Sequence, residues 1–327
     1  MLLIAFGGPL GPADVRPFLA NVLRGRRVAP ERVEEVAHHY ERFGGVSPLT
    51  ALTRAQAAGL AERLRDRGAA LPVYVGMRNW HPFLADTLAE MSAAGVRRAI
   101  GFIAAAHRSY SGCLQYRENV RDARTALTER GLPDVDVAYV GDWHTHPQFI
   151  AASADEAARA VETLPAEVRE RATLVFTAHS IPASMAARYP YQQQFEATAG
   201  LIADAVRSRC GLALPHTAVY QSRSGRPEDP WLGPDVCDFL RQGKADGGLE
   251  AVVIVPAGFI CDHIEVLYDL DTEAAEVCRA IDLPMVRARA VNDHPLFLDM
   301  MADVVMTMRD RYAGARPLTI APPSLHS

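Results

Sequence analysis

The chain has 327 residues, 49% hydrophobic and 22% charged, a balance that fits either two ordinary globular domains or one large α/β unit. Its net charge of −5 argues against a nucleic-acid surface as the main function, although local basic clusters can still hold small anions. No apolar run approaches the roughly 20 residues that cross a bilayer. The opening MLLIAFGG is too short for a signal sequence and reads as a first strand. Five scattered cysteines, at 113, 210, 237, 261 and 278 and without a CxxC, fit a reducing cytosol and outline neither a zinc site nor a disulfide framework.

Apolar runs alternate with helix-period segments along the whole length. The runs predict strands at Leu2–Phe6, Val73–Gly76, Ala99–Ala104 and Val135–Val140, and again at Thr173–Phe176, Thr217–Tyr220, Val252–Val255 and Val286–Val291. Helical spacing marks Ala55–Arg65, Phe83–Ala93, Gln115–Arg130, Pro147–Thr163, Gln192–Ser208 and Pro295–Arg311. Short buried strands separated by helices mean parallel βαβ units with helices on both sheet faces. Four strands precede residue 150 and four follow it. The chain therefore reads as two doubly wound lobes facing across a cleft, residues 1–150 and 151–315, with a loosely held tail over 316–327. Each half places a small-residue loop after an early strand, Phe6-Gly7-Gly8-Pro9 and Thr177-Ala178-His179-Ser180, a weak sign of an internal repeat.

Gly7-Gly8-Pro9 is neither GxGxxG nor a P-loop, because proline removes a donor that a phosphate cradle would use. It reads as a tight turn that lets something approach the backbone. Arg24, Arg26 and Arg27 around Gly25 are a solvated loop or a grip for carboxylates, to which guanidinium forks are suited. Ser47, in Gly44-Gly45-Val46-Ser47-Pro48, either caps the next helix or reaches a ligand, and the cap is the simpler reading. Tyr110 and Tyr116 flank Cys113 at the carboxyl edge of a strand, with a core role as the default. His38-His39 lie in a helix. His144 and His146 would share one face if extended, but Pro147 breaks the strand and no third metal ligand follows.

Two stretches carry more. Thr177-Ala178-His179-Ser180-Ile181-Pro182 puts His179 just after an apolar strand, with no GxSxG and no Cys–His arrangement to suggest hydrolysis. Val252–Glu273 runs from a buried strand through Pro-Ala-Gly into a helix for which Asp262 stands in the N-cap position. On an ideal helix Glu265, Asp269 and Glu273 form one acidic row, with Glu276 beside it, opposite Val266, Leu270, Ala274 and Val277. No Lys or Arg occurs between Asp262 and Cys278, so the like charges call for a counter-cation from elsewhere, and a divalent metal would supply it. If the two strands share a sheet, their loops bring His179 toward His263 and Glu265, a combination suited to transient metal binding or general-base work. An ideal helix turns His263 toward the core; a π-bulge would change that phasing.

Taken together, LLIAFGGP, FGGVSPL (43–49), RNWHPF (78–83), YSGCLQY (110–116), TAHSIP (177–182), YQSRSGRPEDPWLGP (220–234) and GFICDHIEVLYDLD (258–271) resemble the ferrochelatases, most of all the actinobacterial type that acts on coproporphyrin. The similarity is collinear from residue 2 to about 312. It implies a chelatase-like α/β fold of two Rossmann-like lobes, each a parallel four-stranded sheet flanked by helices, with a porphyrin cleft between them. It implies a lyase that inserts Fe²⁺ into coproporphyrin III, or alternatively protoporphyrin IX, and releases two pyrrole protons. His179 and Glu265 match the pair that handles iron, Ser47 and Tyr116 match porphyrin contacts, and Asp269 and Glu273 match a metal or proton path. Phe6 stands where some relatives carry a tyrosine that ligates product iron, so axial ligation by that route is lost. The ending PPSLHS adds no cysteine after Cys278, so no [2Fe–2S] cluster and no permanent cofactor is expected. The resemblance leads us to expect a cytoplasmic monomer without a transmembrane segment. A cobalt or nickel chelatase and a non-metallating porphyrin carrier are the competing readings.

Overall fold

The computed structural model describes residues 1–25, 28–224 and 228–314. Arg26, Arg27 and the tail 316–327 therefore lie outside the described residues. All eight expected strands form. β1 (Leu2–Ala5), β2 (Tyr74–Met77), β3 (Arg98–Ile103) and β4 (Asp136–Tyr139) build one parallel sheet in the order β2-β1-β3-β4. β5 (Ala172–His179), β6 (His216–Gln221), β7 (Ala251–Val255) and β8 (Met285–Arg287) build a second in the order β6-β5-β7-β8, again parallel throughout. The two sheets share one winding order, a firmer basis for a repeat than the loop similarity offered.

Two strand ends differ from expectation by more than one residue. β5 runs on to His179 because its ladder with β6 continues through Thr177–Val219, Ala178–Tyr220 and His179–Gln221. His179 is thus the last strand residue, not the first loop residue. β8 stops at Arg287, because beyond it the Ala290 N–H donates to the Asp262 carboxylate (3.1 Å) and not to a neighbouring strand.

The first-half helices are α1 (Val15–Val22), α2 (Pro30–Arg42), α3 (Leu49–Asp66), α4 (Leu84–Ala93), α5 (Gln115–Glu129) and α6 (Pro147–Thr163). After them come α7 (Ala166–Arg169), α8 (Ala183–Ala186), α9 (Tyr191–Cys210), α10 (Val236–Ala245), α11 (Ile264–Tyr268), α12 (Ala275–Ala280) and α13 (Pro295–Gly314). Helices α3, α6, α9 and α13 contribute to one apolar core together with the inward faces of both sheets, where Leu3, Phe102, Phe176 and Val253 meet Leu60, Phe149, Phe195 and Met301. The alternate residues Leu2 and Ile4 face α4 and α5, and Val252 and Ile254 face α10 and the chain around Leu270. Both faces of each sheet are covered, which is why the strands read as continuous apolar runs and not as alternation.

The expected boundary at 150 falls within α6, and α13 returns from the second half to pack on α3. There Arg63 pairs with Asp299 (2.9 Å) and Arg67 with Asp303 (3.1 Å). A Cβ on Gly59 would come within 2.5 Å of a Leu298 methyl, so a larger residue there would make that side chain shift. Among the described residues no helix is long and apolar enough to cross a membrane.

Helices α1 and α2 form a separate flap at the carboxyl edge of the first sheet. Phe18 meets Phe6, Tyr40 and Trp80 edge-on, in one cluster with Ile264 of the second half. His39 stacks on Tyr268 at 3.5 Å between ring centres, and Arg42 reaches Glu276 (3.4 Å). One wall of the inter-lobe cleft is therefore pinned to α11 and α12.

Candidate active site

β5 and β7 are neighbours in the second sheet, so the segments leaving their carboxyl ends start side by side. Gly258 draws them together. Its N–H donates to Thr177 O (2.9 Å), and a Cβ there would lie 2.4 Å from that of Ala178. With the loop pressed onto the strand, His179 Nε2 stands 3.9 Å from Glu265 Oε2.

The His179 ring is oriented by its other nitrogen. Nδ1 lies 2.5 Å from the Ser180 carbonyl oxygen, which can only accept, so Nδ1 carries a hydrogen and Nε2 is the nitrogen left to face Glu265. The surrounding backbone is fixed as well. Tyr191 donates its hydroxyl to His179 O (2.9 Å), the Ser180 N–H donates to Gln221 O (2.7 Å), and the Ser180 hydroxyl donates to Leu232 O (2.7 Å).

The N-cap of α11 is His263, not Asp262. His263 is extended (φ −100°, ψ 178°), and its Nδ1 accepts from the Glu265 N–H (3.2 Å). That bond leaves the hydrogen of the neutral ring on Nε2, and burial lowers the pKa of His263. Asp262 is instead taken by distant partners, namely Arg287 (2.7 Å), the Asn292 amide (2.7 Å) and the Ala290 N–H. Arg287 also forms a fork on Asp271 (2.6 and 2.8 Å). It therefore clamps both ends of the segment that carries Glu265 and Asp269. Replacing Arg287 by alanine strips a mostly buried Asp262 of its nearer cation, leaving only Arg289, at 4.0 Å, among the described residues, and chemical denaturation should show a loss of about 3 kcal/mol. Iron insertion should fall with it.

The helix does pass through a π-helical turn, over Asp269–Ala274. This turn starts after Glu265, so it leaves the relation of His263 to Glu265 untouched and rephases the rest of the acidic row. Asp269 swings onto the end of β6, where it accepts from Gln221 Nε2 (3.1 Å) and from the Ser222 hydroxyl. Ser222 holds a left-handed conformation (φ 60°), uncommon outside glycine and a mark of a constrained corner. Burial, reinforced by Glu265 and Glu273, pushes Asp269 up to about 7. Glu273 is pushed up as well, by burial and by Asp235.

The raised Asp269 has a definite sign in stability. Between about pH 4 and about 7 the folded protein binds a proton that the unfolded chain has released, so the folded state loses stability as pH rises through that window. Asp269→Asn keeps an acceptor for Gln221 and Ser222 without the charge. Its stability relative to wild type should rise across this window and level off above it, by about 2–4 kcal/mol in urea melts.

Tyr116 and Tyr40 bring the first lobe to the same place. Both phenols are buried; burial raises both pKa values, and Glu265 adds to each. For Tyr116 the result is about 12, with Arg78 pulling the other way. The Arg78 guanidinium lies over the Phe6 and Tyr116 rings at 5.9 and 5.6 Å. Ser47 is 3% exposed; its N–H donates to Pro9 O (2.9 Å) and its hydroxyl accepts weakly from the Leu49 N–H (3.4 Å). What approaches the Gly7-Gly8 turn is protein: a Cβ on Gly8 would lie 2.5 Å from that of Ser47, and one on Gly7 would lie 3.0 Å from the Trp80 nitrogen.

His144 and His146 do not act together. His146 caps α6 through Nδ1 and approaches Asp303 (3.5 Å), while His144 sits beside the buried His107. Cys261 is buried against the Gln56 amide (3.3 Å). Among the described residues no three His, Cys, Asp or Glu side chains gather into a closed metal cage. Gln221, Ser222, Tyr40 and the Asp262–Arg287 clamp were not singled out from sequence. Gln221-Ser222 carry a readable signal, since they close the apolar run of β6 just as His179 closes that of β5.

Two similarly wound four-stranded parallel sheets flanked by helices give the protein a chelatase-like fold, with His179 and Glu265 together at the carboxyl edge of the second sheet. The solved structure of SirB from Bacillus subtilis with Fe³⁺ has the same fold: it matches with TM-score 0.56 at 9% identity, covering 95% of this chain and 97% of that one. The ferrochelatase family model matches residues 1–309, and the chain belongs to that family, enzymes that insert iron into a porphyrin. A protein named ferrochelatase from Rhodopirellula baltica is 47% identical over 304 residues, 93% of this chain and 84% of its own. One named coproporphyrin III ferrochelatase from Streptomyces coelicolor is 46% identical over 316 residues, 94% of this chain and 84% of its own.

Proposed function

We propose that this chain inserts Fe²⁺ into coproporphyrin III, giving Fe-coproporphyrin III (coproheme) for haem synthesis. The observation that carries the chemistry is the Nε2 of His179 set 3.9 Å from the Glu265 carboxylate, with Nδ1 committed to a backbone carbonyl. One imidazole and one carboxylate suit a borderline cation, and two ligands without a cage release it again. Insertion also needs acceptors for two pyrrole protons beside the ring, and the same two groups provide them. Support for the porphyrin's identity comes from relatives named for coproporphyrin III, such as the Streptomyces coelicolor protein.

In this reading the macrocycle enters between Tyr116 and Ser47 on the first lobe and His179 and Glu265 on the second. A cleft that holds the ring bent, with a nitrogen lone pair turned out of plane, binds the transition state more tightly than flat porphyrin. Asp269 and Glu273, both with raised pKa values, carry protons away or iron in behind Glu265. The enzyme works in the cytoplasm as a monomer, with no permanent cofactor. Anaerobic metallation rates on coproporphyrin III and protoporphyrin IX test the assignment. Faster turnover of coproporphyrin III is expected; a preference for protoporphyrin IX would reverse it.

A further inference from the structure

Helix α3 leaves the Ser47 turn and, two turns on, presents an amide to the second lobe. Gln56 is 0% exposed and shares the buried face of the helix with Thr53 and Leu60. An amide buried among apolar neighbours costs stability unless it is bonded. Gln56 Nε2 donates to Asn292 O (2.7 Å) and lies 3.3 Å from Cys261 Sγ. Asn292 is buried too, and its backbone is left-handed (φ 44°), a conformation asparagine takes more readily than most side chains. Its side chain bonds the segment that leads into α11. Oδ1 accepts from the Asp262 N–H (2.9 Å), Nδ2 donates to the Asp262 carboxylate (2.7 Å), and the Asn292 N–H donates to Ile260 O (2.9 Å). Asp262 adjoins His263, whose Nδ1 accepts from the Glu265 N–H (3.2 Å). A run of hydrogen bonds and short chain segments thus joins the first-lobe helix that starts beside Ser47 to the backbone of Glu265.

We infer that Gln56 and Asn292 are positioning residues, a relay that sets Glu265 on the second lobe at its working distance from the Ser47 and Tyr116 wall on the first. The inference rests on the reading above of Glu265 as a metallation residue and names what holds it in place. Gln56 and Asn292 are too deeply buried to meet a substrate, so they act through Glu265. Bonds within the second lobe, from Gly258 to Thr177 and from Asp262 to Arg287 and Ala290, settle Glu265 against His179. They carry no reference to the opposite wall, and the Gln56 bond supplies one. The flap adds apolar and stacked contacts to Ile264 and Tyr268, which fix direction less sharply than hydrogen bonds do. Insertion into a bent ring depends on that spacing, because a misplacement of about 1 Å caused far from the chemistry can cost about 10²-fold in rate.

The test is steady-state iron insertion, with thermal melting, for wild type, Gln56→Met, Asn292→Gly, the double variant and Glu265→Gln. Methionine keeps the length of glutamine without its donor, and glycine keeps the left-handed turn and the carbonyl without the side chain. Each single variant should lose about 10-fold or more in kcat, with the KM for porphyrin unchanged or lower, the mark of lost transition-state fit. Because the two bonds act in series, the double variant should be no slower than the slower single one. An unchanged kcat with a lower melting temperature, a KM raised in step with the loss, or losses that multiply in the double variant overturns the relay. A slow Glu265→Gln enzyme would then still uphold Glu265, whereas a fully active one overturns both. Should Gln56→Met fail to fold, Asn292→Gly carries the same prediction by itself.

Discussion

Replacing His179 by alanine should lower the rate of Fe²⁺ insertion by about 10²–10⁴-fold, the range lost with a positioned proton-transfer group. Porphyrin affinity should hardly change. The separation follows from geometry. His179 presents only one ring nitrogen to the cleft, since the other is spent on Ser180 O, and its backbone is held by the β5–β6 ladder and by Tyr191 whatever its side chain. A purely structural histidine at a strand end would show the opposite pattern, with lower melting temperature and little change in turnover. Stopped-flow absorbance for insertion and fluorescence quenching for binding read the two effects independently.

Glu265→Gln should be nearly as severe, about 10²-fold or more, although the amide has the same shape. What disappears is the negative charge facing Nε2 of His179, and with it one hand of the pair that holds the cation. Thermal stability should fall only slightly, because an acidic residue in the first turn of a helix contributes about 0.3–1 kcal/mol through the helix dipole. The variant also has a marker in the cleft itself. Glu265 helps to raise Tyr116, so the phenol's titration should move down when the charge is removed. An unmoved Tyr116 would mean that the two walls do not face one another.

Much of this arrangement is legible in the sequence, and where it is not, the cause is physical. Strand positions are readable because both sheets are covered on both faces, so apolar runs such as Val252–Val255 stand out without any periodicity. The meeting of His179 with Glu265 follows from parallel winding, which puts the ends of β5 and β7 side by side. Sequence alone points to Asp262 as the cap of α11, because Asp262 and His263 can both cap a helix. The choice is made by Arg287, Ala290 and Asn292, which lie 25 to 30 residues away in sequence, and no local pattern reports them. The counter-charge missing from Asp262–Cys278 also comes from outside, with Arg42 on Glu276 and Arg287 on Asp271. The site of the π-helical turn lies in no single residue type. It coincides with the capture of Asp269 by Gln221 and Ser222 on β6 and its corner, a long-range event.

Metallation of porphyrin at the His179–Glu265 face, as against binding alone, is open to direct measurement. The direct measurement is a single anaerobic turnover of enzyme, coproporphyrin III and Fe²⁺, recorded by porphyrin absorbance together with a pH-indicator dye in weak buffer. Conversion to the metalloporphyrin spectrum with two protons released per iron inserted is expected. Tight porphyrin binding with an unchanged free-base spectrum and no proton release would contradict it, and would make the protein a carrier.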